Sequence, residues 1–179
     1  MVYIFLAPGF EEAEALVPAD LLRRAGIDTA LVSVSGGPVA GGHGMAVLPD
    51  MELSQVEPED ADMLVLPGGG RGVENLGCCP RVEQLVRTAA ARGTPVAAIC
   101  AAPTLLARWG LLEGKRAVCF PGLEDKLTGA RAADVPVVTD GTITTACAAG
   151  SAFDFGLELI RRLSGGEKAE EVRRNVHYR

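Results

Sequence analysis

The residue best placed for covalent chemistry is the thiol in Ala97-Ala98-Ile99-Cys100-Ala101-Ala102-Pro103. An apolar run ends at Cys100, and a proline-opened segment follows at once. This is the pattern of a nucleophile elbow, in which one side chain occupies a strained turn between a strand and a helix. Small flanking residues let the backbone fold tightly there, and the alanines supply them. Unpaired N–H groups at the helix start favour thiolate over thiol, which predicts that Cys100 is the most reactive cysteine. The run also fits a plain alternative, a small apolar residue closing a buried strand.

Two further segments could serve such a thiol. Pro67-Gly68-Gly69-Gly70 follows an apolar run, and consecutive glycines let backbone N–H groups approach a ligand closely. Those donors suit an oxyanion; an ordinary strand-to-helix turn accounts for the glycines too. Glu11, Glu12 and Glu14 open a helical stretch, where the macrodipole alone favours acidic residues. Glu14 lies two residues past Glu12 and so points elsewhere. Directed inward toward Cys100, its carboxyl would hold a proton near neutral pH, hydrogen-bond the thiolate and move protons.

These turns need a sheet to hold them. Val2–Ala7, Thr29–Ser35, Met63–Leu66 and Val96–Ile99 read as strands. Shorter strands are expected at Ala117–Phe120, Val135–Val138 and Ile143–Thr145, with a hairpin-like excursion around Val39 and Met45–Leu48. Helices are expected from Glu11 to about Arg24, over Arg81–Ala91, Ala101–Trp109, Ala152–Leu163 and Glu167–Asn175. The first buries Ala13, Leu16, Val17, Leu21 and Leu22, and Pro18 should kink it. Apolar strands alternating with helices imply a mainly parallel sheet covered on both faces, with sites beyond the strands' carboxyl ends. If the first, third and fourth of the long strands are neighbours, the three turns meet.

The remaining composition excludes several classes. The 179 residues suit one domain, 1–179, and 48% are apolar, enough for a core. A net charge of −6 without a Lys/Arg cluster argues against nucleic acid. No apolar stretch spans a bilayer and the N-terminus lacks a signal pattern, so a cytoplasmic protein is expected. Five cysteines without CxxC spacing, and two distant histidines, argue against zinc and a disulfide framework. Cys78-Cys79 should be exposed before Pro80, and Cys119 and Cys147 should pack at strand ends. Neither GxGxxG nor GK[ST] occurs, so no nucleotide cofactor is expected.

The chain resembles the ThiJ/PfpI superfamily, also called the DJ-one superfamily, in its Parkinson-protein and bacterial ThiJ branch. The matching pieces are Ala7-Pro8-Gly9-Phe10-Glu11-Glu12-Ala13-Glu14, Leu22-Arg23-Arg24-Ala25-Gly26-Ile27, Leu66-Pro67-Gly68-Gly69, the Cys100 elbow, Glu124-Asp125-Lys126 and Phe153-Asp154-Phe155-Gly156. They are spread over nearly the whole chain.

The resemblance implies a flavodoxin-like three-layer α/β sandwich, a homodimer, Cys100 as nucleophile and Glu14 as its protonated partner. Gly69 and Ala101 N–H groups would be the oxyanion donors. Arg24, His43, Phe120 and Pro121 become candidate substrate-site or dimer contacts. Some members carry histidine where this chain has Phe120, and many carry arginine where it has His43. The protease-like branch has histidine directly after the cysteine, where this chain has Ala101, which disfavours peptidase activity. The implied activity needs no cofactor or metal. It is that of a glutathione-independent, glyoxalase III-like lyase or protein deglycase-like hydrolase, acting on methylglyoxal, glyoxal or early protein adducts. The alternative is a redox-sensing stress protein or holdase chaperone whose same cysteine oxidises to sulfinic acid.

Overall fold

The computed structural model describes residues 1–179. Its strands are β1 (Val2–Leu6), β2 (Thr29–Ser33), β3 (Val39–Ala40), β4 (Ala46–Val47), β5 (Met51–Glu52), β6 (Met63–Leu66), β7 (Val96–Ile99), β8 (Arg116–Ala117), β9 (Arg131–Ala132), β10 (Val137–Asp140) and β11 (Ile143–Ala146). Its helices are α1 (Glu12–Arg24), α2 (Gly70–Gly77), α3 (Pro80–Ala91), α4 (Pro103–Arg108), α5 (Ala152–Ser164) and α6 (Gly166–Asn175).

Seven strands form one sheet in the order β10-β11-β7-β6-β1-β2-β5. Every pairing in it is parallel except that of β10 with β11. β1, β6 and β7 are buried along their whole length, which is why their sequences are unbroken apolar runs. Their side chains alternate between two cores. Val2, Ile4 and Leu6 face α1, α5 and α6, whereas Tyr3 and Phe5 face the layer built by α3 and α4. Each fully buried aliphatic side chain contributes about 1.5–3 kcal/mol, so this three-layer arrangement fixes the strand ends firmly. The result is the expected flavodoxin-like α/β sandwich.

α1 carries Glu14 and ends in a defined stop. At its C-terminus Gly26 has φ of 76°, Ile27 N–H donates to Leu22 O at 3.0 Å, and Gly26 N–H donates to Arg23 O at 3.0 Å. This is a Schellman stop that glycine makes cheap. Pro18 lacks an N–H for the helical ladder, yet the helix continues through it to Arg24. Gly156 of α5 packs there; a Cβ on it would lie 2.7 Å from Leu21 Cδ1 and 3.1 Å from Pro18 Cα.

Several local expectations are corrected. The buried face of α1 runs through Ala15, Pro18, Ala19, Leu21 and Leu22, while Ala13, Leu16 and Val17 are only half-buried. The cause is the inward turn of Glu12 and Glu14, which rotates the apolar stripe. β2 stops at Ser33 and β8 shrinks to two residues, while β10 begins at Val137. α2 and β5 were not expected at all: glycines obscure the first, and the second has two residues. No helix is long and apolar enough to cross a membrane.

Candidate active site

Because β7, β6 and β1 are adjacent, the three turns leaving them meet at one end of the sheet. Backbone hydrogen bonds join the turns that leave β1 and β6. Glu11 N–H donates to Gly68 O at 3.0 Å, and Gly72 N–H donates to Gly9 O at 3.1 Å. The loop between β3 and β4 is tied in as well, through Gly42 N–H to Phe10 O at 2.7 Å. Gly69 sits in the crossing with φ of 87°; a Cβ there would be 2.5 Å from Gly9 O.

Cys100 occupies the elbow with φ of 66°, a left-handed conformation that a non-glycine residue adopts only under constraint. Two hydrogen bonds supply the constraint: Cys100 N–H to Ala146 O at 2.9 Å, and Phe120 N–H to Cys100 O at 2.8 Å. The helix after the elbow is shorter than expected. α4 begins only at Pro103, so Ala101 and Ala102 belong to the turn.

Glu14 is 1% exposed. Its Oε2 accepts the Gly68 N–H at 2.9 Å, while Oε1 has no hydrogen-bond partner among the protein's nitrogen and oxygen atoms. Oε1 is therefore the oxygen free to carry a proton. Gly68 is the floor on which both groups rest: a Cβ on it would lie 2.3 Å from Glu14 Oε2, 2.6 Å from Cys100 Cβ and 3.1 Å from Cys100 Sγ. Gly68→Ala is expected to cost at least about 1–3 kcal/mol of stability, as over-packing does, and to separate the two reactive groups. Thermal unfolding together with thiol alkylation rates measures both effects; unchanged values would mean that the turn yields freely.

The electrostatics refine the sequence expectation. Burial raises the Glu14 carboxyl to about 7, against hydrogen bonds from Cys100 and the Gly68 N–H. Burial also raises the Cys100 thiol, to about 12, followed by the charge of Glu14 and its hydrogen bond. The N–H groups of Gly69 and Ala101 act in the opposite direction and favour charge on sulfur. The expected depression of the thiol is thus reversed. A common cause explains both directions: the buried pair accommodates one negative charge but resists two. The single charge rests on Glu14 beside the neutral thiol, and moving one proton from sulfur to Glu14 yields the thiolate that a nucleophile requires.

The other candidate residues separate clearly. Phe120 is exposed beside the elbow and touches it through its backbone. Pro121 instead lines a cavity of about 500 Å³ that also holds Cys119 and Cys147. Arg24 is exposed and paired with Asp20 at 2.7 Å. It lies ten residues beyond Glu14, about 15 Å along the helix, so within one chain it does not reach Cys100. His43 does not contact Cys100 either; its ring meets Glu12 Oε2 at 3.0 Å and Glu11 Oε2 at 3.4 Å. Cys78 is exposed as expected, Cys119 is buried, and Cys79 and Cys147 are half-buried.

The fold and site together define a flavodoxin-like α/β protein with a cysteine elbow and a buried carboxyl partner. Residues 1–162 match the family model described as DJ-1/PfpI family. The chain is 38% identical over 176 residues to Protein dj-1beta of Drosophila melanogaster, covering 97% of this chain and 94% of that one. It is 33% identical over 164 residues to the glutathione-independent glyoxalase DJR-1.2 of Caenorhabditis elegans, covering 90% and 87%. Two Arabidopsis thaliana relatives are longer proteins, of which the chain spans 40% and 45%. Among solved structures, a mutant of the DJ-1 superfamily protein STM1931 from Salmonella typhimurium superposes with a TM-score of 0.94 at 36% identity, covering 99% of this chain and 98% of that one. The chain belongs to the DJ-1/PfpI family.

Proposed function

We propose that the protein is a cofactor-independent enzyme acting on methylglyoxal or glyoxal, free or as early protein adducts. The observation that supports this most directly is the buried Glu14 carboxyl against Cys100, with Gly69 and Ala101 N–H groups directed at the same sulfur. The Cys100 thiolate adds to the aldehyde carbon of methylglyoxal, and the resulting alkoxide takes up a proton to give a hemithioacetal. Glu14, as carboxylate, removes the proton from that carbon and returns one to the neighbouring carbon through an enediol. The product is a lactyl thioester on Cys100. Water cleaves its C–S bond, releasing lactate and restoring the thiol, so the sum is methylglyoxal plus water to lactate. Gly69 and Ala101 N–H groups hold the negative oxygen during addition and hydrolysis. A deglycase would use the same groups on an adduct. The reading takes the chain as a homodimer in the cytoplasm.

Lactate formation from methylglyoxal in the absence of glutathione tests it. Many lactate molecules per chain are expected, with the thiol regenerated. One equivalent or less, with Cys100 left oxidised or alkylated, would instead favour a sensor whose thiol is consumed once.

A further inference from the structure

Cys100 keeps its left-handed conformation through two backbone bonds, and both lead back to adjacent residues of β11. Ala146 O takes the Cys100 N–H directly, at 2.9 Å. The second bond, Phe120 N–H to Cys100 O at 2.8 Å, comes from the segment that follows β8. That segment is itself anchored by a side chain: Val118 N–H donates to Thr145 Oγ1 at 2.9 Å. Thr145 is 1% exposed, and Val118 is buried too. Phe120 follows Val118 closely in the chain, so the Thr145 hydroxyl sets where the Phe120 N–H lies.

The place of β11 in the sheet explains why a hydroxyl does this. The strand lies between β10 and β7, with Thr145 opposite Val138 on one side and Ala98 on the other. Its backbone groups pair with those two strands, so a third neighbour has to be held by a side chain. Successive residues of a strand face opposite layers. Thr144 accordingly turns its hydroxyl the other way, to Thr139 at 3.0 Å, which in turn donates to Glu158. Valine has nearly the shape of threonine and suits a buried strand, yet it offers no acceptor to an N–H. The bond from Val118 accounts for a polar residue at this buried position.

We propose that Thr145 is a positioning residue for Cys100, acting through the Val118–Phe120 segment to keep the elbow in its left-handed form. This rests on the reading of Cys100 as the nucleophile. Ala101 follows Cys100 directly, so the torsions of Cys100 decide whether the Ala101 N–H faces the sulfur, where it favours negative charge. Glu14, the titratable neighbour of that sulfur, is held from another turn, by the Gly68 N–H. Loss of the Thr145 hydroxyl therefore acts on the elbow and leaves the hold on Glu14 in place.

Thr145→Val, Thr145→Ser and Thr144→Val in the full chain test it, with iodoacetamide as probe and peptide mapping to follow Cys100 alone. In Thr145→Val the alkylation rate at neutral pH should fall at least about tenfold, its pH profile moving about one pH unit upward. Thr145→Ser keeps an acceptor for the N–H and should stay within about twofold of wild type. Thr144→Val loses a buried hydroxyl on the same strand and should leave Cys100 unchanged, which separates positioning from a general loss of stability. In lactate assays the kcat of Thr145→Val should fall with KM nearly unchanged. A wild type without turnover would remove the activity proposed above, and the alkylation series would still decide the role of Thr145. Amide hydrogen exchange of the wild type needs no variant: Val118 and Phe120 should be protected to a similar degree. A folded Thr145→Val with wild-type rate and profile overturns the proposal. So does a Thr145→Ser as slow as the valine variant, an equal loss in Thr144→Val, or a Val118 amide that exchanges far faster than that of Phe120.

Discussion

Cys100→Ser is expected to lower lactate formation from methylglyoxal by at least about a thousandfold, while the protein unfolds at nearly the wild-type temperature. The size follows from the step removed. A serine hydroxyl at this position has the same neighbours but is a far weaker acid and nucleophile than the thiol, and Glu14 cannot readily take its proton, so the C–S bond and the thioester have no counterpart. Losing a nucleophile that acts as a unit with its proton carrier costs most of the acceleration. Stability should change little, because Ser is similar in size and the hydrogen bonds holding the elbow are backbone ones, to Ala146 and from Phe120. Steady-state lactate assays and thermal unfolding on the same samples measure both. Substantial turnover in the serine variant would rule out covalent chemistry at Cys100.

Glu14→Gln should separate catalysis from stability in opposite directions. Gln can keep the Gly68 contact, yet it cannot take and return a proton, so turnover should fall by about a hundredfold to ten-thousandfold. Stability should rise at neutral and alkaline pH. Folded Glu14 keeps its proton up to about pH 7, whereas its ordinary value is 4.5. Between those values the folded chain binds more protons than the unfolded one, so stability falls as pH rises through the window. Gln carries no such proton, and above the window it should be more stable by on the order of 2–3 kcal/mol. Denaturant curves at pH 4.5 and pH 8 are decisive: the difference between variant and wild type should appear at the higher pH and shrink at the lower. Removing the carboxylate charge also lets the thiol ionise at lower pH than in wild type, visible as thiolate absorbance. A variant that turns over normally would reduce Glu14 to a structural carboxyl.

The elements carrying the site were readable because their signals are local. The strands entering Cys100 and Gly68 are unbroken apolar runs, and the elbow and glycine turn follow them directly. Their meeting followed from strand adjacency, which the β7-β6-β1 order bears out. What was not readable depends on distance in sequence or on burial. The acidity of Cys100 is set by desolvation and by Glu14, neither of which a seven-residue motif reports. The contact of His43 with Glu12 needs a loop folded onto a helix start 31 residues away. Within one chain Arg24 is distant from Cys100, because α1 is a continuous rod that carries its last turn away from its first. α2 is not legible because Gly70, Gly72 and Gly77 are poor helix formers; Gly72 and Gly77 lie close against Phe10 and Arg108, while Gly70 faces open space.

The main-chain bonds between Gly9, Glu11, Gly42, Gly68 and Gly72 bear on how the reactive end of the sheet opens. Loops ordinarily sit at the low end of the local-unfolding scale and fluctuate independently of the strands they join. Here the β1 turn, the β6 turn and the β3–β4 loop cannot lift away singly, because each donates to or accepts from another that a buried strand or helix anchors. Their opening becomes one cooperative event, coupled to loss of the central strands. A site stiffened in this manner is preorganised: its donors face the sulfur before charge appears there, and little reorganisation is needed when it does.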